Sequence, residues 1–344
     1  MYSPELSERE KSILRYVIHQ FILTASPVGS RNISKKYDIG LSPATIRNIM
    51  ADLEDSGLLG HPHTSAGRVP TDLGYRFYVD SLMGTSKLSR AEKRSANNTI
   101  DSTKSDDLIK VTSSILSDIT NQIACITYPR INDSVLERIQ IVRLSSSRIL
   151  VVVTVFPGLV KTITLELQIS VQQSKLNSIQ RILNQRLSGL KFSEIRQSIV
   201  ERVRNYNSTE LKPIVRVFLD SADNIFKEEK ESRSVITGAK NILTQPEFED
   251  IEQFQSIIEL VEDKDVIVHV MDSHMKEDNY NVSITIGSEN REKKLMSYSL
   301  ITKEYEVGKA IGTIGIIGPK RMEYSKVVAA VDYVAKLLSR ELEN

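Results

Sequence analysis

The sequence predicts an α+β protein of more than one domain, and three observations carry that reading. The 344 residues exceed what a single core usually supports. Apolar residues recur at helical spacing up to Leu82. Beyond Ile119, short apolar runs of strand length come first, helical stretches follow, and strands resume. Hydrophobic residues make up 40% and charged residues 26%, a balance that allows a buried core.

The elements follow in order. Ser7 and Glu10 form a capping-box pattern ahead of Ile13, Leu14, Val17, Ile18 and Phe21, which predicts a helix to about Leu23. Pro27-Val28-Gly29 breaks the chain, and Ser30 is expected to cap a short second helix with Ile33 and Tyr37 facing inward. After the tight turn Asp38-Ile39-Gly40-Leu41, Ser42 caps a third helix. Pro43 sits in its first turn, where a missing N–H costs nothing. Ile46, Ile49, Met50 and Leu53 form the buried stripe, and Gly57 ends the helix. Leu58-Leu59 open a short strand, His61 to Pro70 reads as a polar hairpin tip, and a fourth helix starts near Thr71 or Asp72. That order is the order of a winged helix-turn-helix, assigned to residues 1–83.

Residues 84–105 are rich in Ser, Asn, Lys and Arg and read as a linker, in part helical. A helix is expected over Leu108–Ile119. Strands are expected at about Ala124–Tyr128, Leu136–Leu144, Arg148–Phe156 and Val160–Leu167. Helices follow at Val171–Leu187, Phe192–Arg204, Leu211–Lys227 and Ile251–Val261. Strands resume at Val266–Met271, Val282–Ile286, Leu295–Ile301 and Ile311–Ile317, before a last amphipathic helix. This pattern predicts a sheet domain, 106–190 and 262–344, interrupted by a helical insertion, 191–261.

The formal net charge is +1, so any affinity for nucleic acid must come from the placement of charge. The only cysteine, Cys125, rules out an intramolecular disulfide and a Cys-based zinc framework, and reads as a small buried hydrophobe. The polar start Met1-Tyr2-Ser3-Pro4-Glu5 has no apolar signal core, and the longest apolar runs are too short to span a bilayer. A cytoplasmic protein without membrane contact is expected. Gly312, Gly315 and Gly318 match neither G-x-G-x-x-G nor a P-loop and read as a strand with close backbone approach. No G-x-S-x-G elbow occurs, and His269, inside an apolar run, reads as a core or sheet-edge residue. No enzyme, metal site or cofactor is expected.

On the third helix, Ala44, Asn48 and Ala51 project away from the apolar stripe, with Thr45 and Arg47 on the flanks. Its acidic residues, Asp52, Glu54 and Asp55, gather at the far end. That polarity suits entry of the N-terminal end into a DNA groove. Arg47 is suited to guanine and Asn48 to adenine, while Ser42 and Thr45 are suited to phosphates. A solvated surface is the competing reading of the same pair. The loop from His61 to Arg68 offers hydroxyls, N–H groups and a guanidinium for phosphate or minor-groove contact, with Tyr75 and Arg76 in support. The expected DNA-facing set is Ser42, Pro43, Thr45, Arg47, Asn48, His63, Thr64, Ser65, Arg68 and Arg76.

Several segments then become specific: Ser26-Pro27-Val28-Gly29-Ser30, Ser42 to Asn48, Pro62 to Thr71, Gly74 to Asp80, Gln245-Pro246-Glu247-Phe248 and Ile317 to Tyr324. In sequence and in order they resemble the signature of the HrcA heat-shock repressor family, over nearly the whole chain. The resemblance implies a winged helix-turn-helix and a GAF-like α+β domain with an inserted helical dimerising domain. It further implies a homodimer that negatively regulates class I heat-shock (chaperone) operons. Such a repressor binds double-stranded DNA at the inverted-repeat CIRCE operator, is modulated by the GroEL chaperonin, and is released on heat shock. GAF-like domains often bind small molecules, yet no cofactor box lines up here.

Overall fold

The computed structural model describes residues 5–62, 67–103, 108–129, 135–156, 159–167, 172–204, 212–226, 234–242, 244–273, 282–307 and 310–343. Helix α1 (Glu8–Thr24) starts with the expected reciprocal cap: the Ser7 N–H donates to the Glu10 carboxylate at 2.7 Å. Ile13, Leu14, Val17 and Ile18 are fully buried on one face. Helix α2 (Ser30–Lys36) buries Ile33, and Tyr37 just after it stacks on Tyr16 with ring centroids 4.2 Å apart. Helix α3 (Pro43–Asp55) is capped by Ser42, whose Oγ accepts the Thr45 N–H at 3.1 Å. Gly57 takes φ +73°, the left-handed conformation that releases the chain from the helix.

Strands β1 (Leu59–Gly60) and β2 (Val69–Pro70) pair antiparallel, with Leu59 opposite Pro70 and Gly60 opposite Val69. Val28 and Arg68 exchange two backbone hydrogen bonds of 2.9 Å, tying the loop before α2 to the chain entering β2. Thr71 caps α4 (Asp72–Phe77), and the chain continues into a π-helical turn, Tyr78–Leu82. A Cβ on Gly74 would collide with the Leu58 carbonyl oxygen, so only glycine lets α4 approach the chain entering β1 this closely. Within 84–105, the polar composition does not prevent order. Helix α5 (Arg90–Asp101) has a Ser89–Glu92 capping box and buries Ala96 and Ile100.

The chain then runs through α6 (Leu108–Thr120), β3 (Ile123–Thr127), β4 (Val135–Arg143), β5 (Arg148–Phe156) and β6 (Leu159–Glu166). Helices α7 (Gln173–Leu187), α8 (Phe192–Arg204), α9 (Lys212–Asp220) and α10 (Ala222–Phe226) follow. Next come β7 (Ser234–Thr237), α11 (Ala239–Ile242), α12 (Ile251–Glu262) and α13 (Lys264–Ser273). The last elements are β8 (Ser283–Ile286), β9 (Tyr298–Val307), β10 (Ala310–Pro319) and α14 (Tyr324–Glu343). This is a mixed α+β protein.

Contacts divide it into two compact units: Met1–Thr127, Ser234–Glu304 and Thr313–Leu338 in one, and Tyr128–Arg233, Tyr305–Gly312 and Ser339–Asn344 in the other. In the first unit lies a five-stranded sheet of order β7-β3-β10-β9-β8. Cys125, Ile257, Leu260, Met271, Leu300 and Ile317 share its core. The Cys125 thiol is fully buried, and burial pushes its pKa well up. Gly315 gives the close approach expected of the glycine-bearing strand, since a Cβ there would meet the Met271 methyl and the Thr302 side chain.

The expected strand Val266–Met271 is instead helix α13. Ile267, Val270 and Met271 fall on one helical face and are buried, while His269 points to the exposed side and is not a core residue. A short apolar run fits either element, and here packing against α12 decides. Between the expected helices ending at Lys227 and beginning at Ile251, where no strand is expected, lies edge strand β7, whose Val235 pairs with Ile126 and Ile236 with Cys125.

In the second unit β4, β5 and β6 form an antiparallel meander. Ile139, Ile141, Val151 and Val153 alternate inward against Leu176, Ile179, Leu183, Phe192, Ile195 and Phe226 of the following helices. Side chains of α7 close the open edge of β4. Asn184 accepts the Ile139 N–H at 2.8 Å and donates to its carbonyl at 2.7 Å, and Gln180 accepts the Ile141 N–H at 2.8 Å. The boundary drawn from sequence between 190 and 191 thus falls inside one core, because α7 and α8 cover the same strands. The contact division instead separates 128–233 from the flanking chain, and α12, expected in the insertion, packs in the first unit.

Candidate nucleic-acid interface

Helix α3 presents two faces. Ile46, Met50 and Leu53 are buried with 3% exposure or less, whereas Ser42, Pro43, Ala44, Thr45, Arg47 and Asn48 are all exposed. The cap and Pro43 start the helix at a defined residue, and the apolar stripe then fixes which side chains point outward. Ser42 and Thr45 also share a hydroxyl contact of 2.9 Å, so each has lone pairs or protons left for a further partner. The first turn of α3 carries no acidic residue, and its leading N–H groups, fewer by the one that Pro43 lacks, lie at the positive end of the helix.

The acidic far end of α3 is used internally. Glu54 Oε1 lies 2.7 Å from His61 Nδ1, and Glu54 Oε2 lies 2.8 Å from Arg68 Nε as an ion pair. Arg68 Nη1 stands 3.1 Å from His61 Nε2, closing a three-residue cluster between α3 and both strands of the β1–β2 hairpin. Desolvation works to raise the Glu54 pKa, but His61 and Arg68 outweigh it and hold the carboxyl below its ordinary value. Arg68 is therefore oriented by Glu54, which the sequence places only among the acidic residues at the far end of α3. A cleft of about 390 Å³ opens beside the cluster, lined by Ser30, Arg31, Arg47, His61 and Arg68 among others. His63, Thr64 and Ser65 of the expected set lie outside the described residues.

Arg76 does not belong with this group. Its Nε and Nη2 donate to the two carboxylate oxygens of Glu289 at 2.7 and 2.5 Å, Nη2 also donates to the Ile284 carbonyl, and Nη1 donates to Asp80. A guanidinium with its donors committed in this way has little left for a phosphate, and the expectation that Arg76 faces DNA is corrected here. Tyr75, expected to support the loop, is buried with its ring 6.0 Å from that of Tyr324. Neighbouring pairs do the same work as Arg76. Lys320 donates to Asp72 at 2.6 Å, and Arg321 pairs with Glu247 while donating to the Ile22 carbonyl. These contacts fasten α1 and α4 to the sheet-bearing part of the first unit.

Among the described residues no group of three or more His, Cys, Asp or Glu side chains is placed to hold a metal ion. No helix among them is long and apolar enough to cross a membrane.

The family described as "HrcA protein C terminal domain" matches residues 106–328. The heat-inducible transcription repressor HrcA of Chlorobium phaeobacteroides is 39% identical over 349 residues, covering 98% of this chain and 99% of that protein. The chain belongs to the HrcA family. The heat-inducible transcription repressor HrcA of Prosthecochloris aestuarii is 41% identical over 354 residues, covering 98% of each. A solved structure described as a hypothetical protein superposes with a TM-score of 0.64 at 24% identity, over 98% of this chain and 99% of that one, so the two share a fold. The HrcA family is one of heat-inducible transcription repressors, not enzymes.

Proposed function

We propose that the chain represses class I heat-shock (chaperone) operons by binding an inverted-repeat operator of the CIRCE type as a homodimer. Residues 1–83 act in this reading as a winged helix-turn-helix, with α3 as the recognition helix and the β1–β2 hairpin as the wing. The observation that carries the reading is the two-faced character of α3: Asn48 and Arg47 are exposed beside an uncharged first turn, while Ile46, Met50 and Leu53 anchor the opposite side. Asn48 is assigned to a base edge, and Arg47, Ser42 and Thr45 to the duplex around it. Arg68 is assigned to the backbone near the wing, together with His63, Thr64 and Ser65.

The unit containing β4 to β6 is assigned to dimerisation, and the five-stranded sheet to the GAF-like part. The outer face of the β4–β5–β6 sheet leaves Val142 47% and Val160 59% exposed, apolar area suited to cover by a second copy. A twofold homodimer matches an inverted repeat. Modulation by the GroEL chaperonin and release on heat shock rest on the family resemblance, and a cytoplasmic location on the polar start and short apolar runs of the sequence.

A gel-retardation titration of the full chain on an inverted-repeat duplex and on a scrambled duplex of equal length tests this. Retention of the repeat at a concentration at least about a thousandfold lower than the scrambled duplex is expected. Equal retention of both removes the repressor reading. Sedimentation of the free chain as a monomer at micromolar concentration removes the dimer.

A further inference from the structure

Arg31 is the second residue of α2, and the cleft beside α3 brings it into the same lining as Arg47, His61 and Arg68. Three guanidiniums that donate hydrogen bonds to anions thus line one cavity, although they come from α2, α3 and the hairpin, while the ring nitrogens of His61 beside them are taken up by Glu54 and Arg68. Arg31 and Arg47 have no carboxylate partner among the described residues. Arg68 has one, Glu54, whose single negative charge leaves the three guanidiniums with two positive charges in excess. Ser30 adds a hydroxyl at the same wall.

We propose that this cleft is a pocket for one phosphate of the DNA backbone, with Arg31 as a phosphate-binding residue and Arg47 turned to the backbone rather than to a base. The inference rests on the duplex-binding reading above and says which part of the duplex enters. The chemistry favours a phosphodiester. Guanidinium forks match its paired oxygens, and Arg31 and Arg47 have no carboxylate partner among the described residues to compete with it. Glu54 is a positioning residue: it holds His61 through Nδ1 and Arg68 through Nε, so both side chains are ordered before a ligand arrives. Asn48, one position beyond Arg47, is not in the cleft lining and stays available for a base edge. Backbone and base contacts would then divide between adjacent residues of α3.

The test compares the full chain with Arg31→Ala and Arg31→Lys on the inverted-repeat and scrambled duplexes over a range of salt concentrations. Arg31 is exposed and unpaired, so its removal leaves the fold intact, which circular dichroism verifies. Arg31→Ala is expected to weaken both duplexes alike, by about tenfold, and to lower the slope of log affinity against log salt by about 1. Arg31→Lys is expected to keep the slope. An unchanged slope for Arg31→Ala, or a loss confined to the inverted repeat, overturns the pocket while leaving DNA binding in place. Failure of the unsubstituted chain to retain any duplex overturns both readings. Free phosphate is the other source of the same chemistry. If inorganic phosphate at constant ionic strength protects the unsubstituted chain against thermal unfolding, but not Arg31→Ala, while duplex affinities are equal, the pocket serves a free anion and the DNA assignment falls.

Discussion

Arg76 and Glu289, 213 residues apart in sequence, meet fork to fork, with Nε 2.7 Å from Oε1 and Nη2 2.5 Å from Oε2. The side chains are 21% and 17% exposed, so the pair is largely withdrawn from solvent. Removing one partner strands the other. Arg76→Ala is expected to cost roughly 2–3 kcal/mol of stability in a urea titration, and the double variant Arg76→Ala/Glu289→Ala less than the sum of the single changes. A loss below about 0.5 kcal/mol would mean that water screens the pair.

Asp72 gives a pH dependence with a definite sign. Burial alone would raise its pKa, but the Lys320 ammonium at 2.6 Å and the Ser288 N–H at 2.9 Å prevail and hold it below the ordinary aspartate value. The folded form therefore binds the proton more weakly than the unfolded chain does. The resulting stability is present above about pH 4 and is lost as the pH falls through the lower, folded value. The midpoint of thermal unfolding should fall more steeply below about pH 4 in the unsubstituted protein than in Asp72→Asn. Parallel curves would assign the acid sensitivity to other carboxylates.

Gly74 tests the packing of α4 on the chain entering β1. A methyl group there would collide with the Leu58 carbonyl, and backbone cannot yield as a side-chain tip can. Gly74→Ala is expected to destabilise by about 1–3 kcal/mol or more. Gly84→Ala, with nothing within 4 Å of the added atom, should stay within about 0.5 kcal/mol. Chemical denaturation of the two variants side by side decides the matter, and equal losses would count against the contact.

Adjacent residues on α3 should behave differently. Asn48→Ala is expected to lose roughly 1–3 kcal/mol on the inverted repeat and little on scrambled DNA. Arg47→Ala should weaken both, with a shallower salt dependence. Binding isotherms at two salt concentrations separate the cases, and a uniform loss for Asn48→Ala would move it from base to backbone.

Much of the site was legible because its determinants are local. The Ser42 cap, Pro43 and the Ile46, Met50, Leu53 spacing dictate a helix with a known buried side, and Asn48 and Arg47 follow on the open side. The same holds for α1 and its Ser7–Glu10 box. Arg76 was not legible in this way. A basic residue on a short helix beside a hairpin looks alike whether it meets a phosphate or a carboxylate, and Glu289 belongs to a distant stretch of chain. Glu54 was missed for a related reason: its partners come from both sides of a hairpin whose closure the sequence implied but whose side-chain geometry it did not.

By itself, then, the sequence determined the elements whose signals lie within one or two turns of chain: caps, amphipathic helices and alternating strands. It also carried family membership, because motifs are read as strings. Tertiary structure decided the rest. Val266–Met271 became helix α13 because an apolar run of six residues satisfies either periodicity until α12 and the sheet select one. The division at 128 and 233, in place of 191 and 261, arose because α7 and α8 bury their apolar faces on the same three strands. Burial and ion pairing depend on what lies across space, and neighbours in space need not be neighbours in sequence.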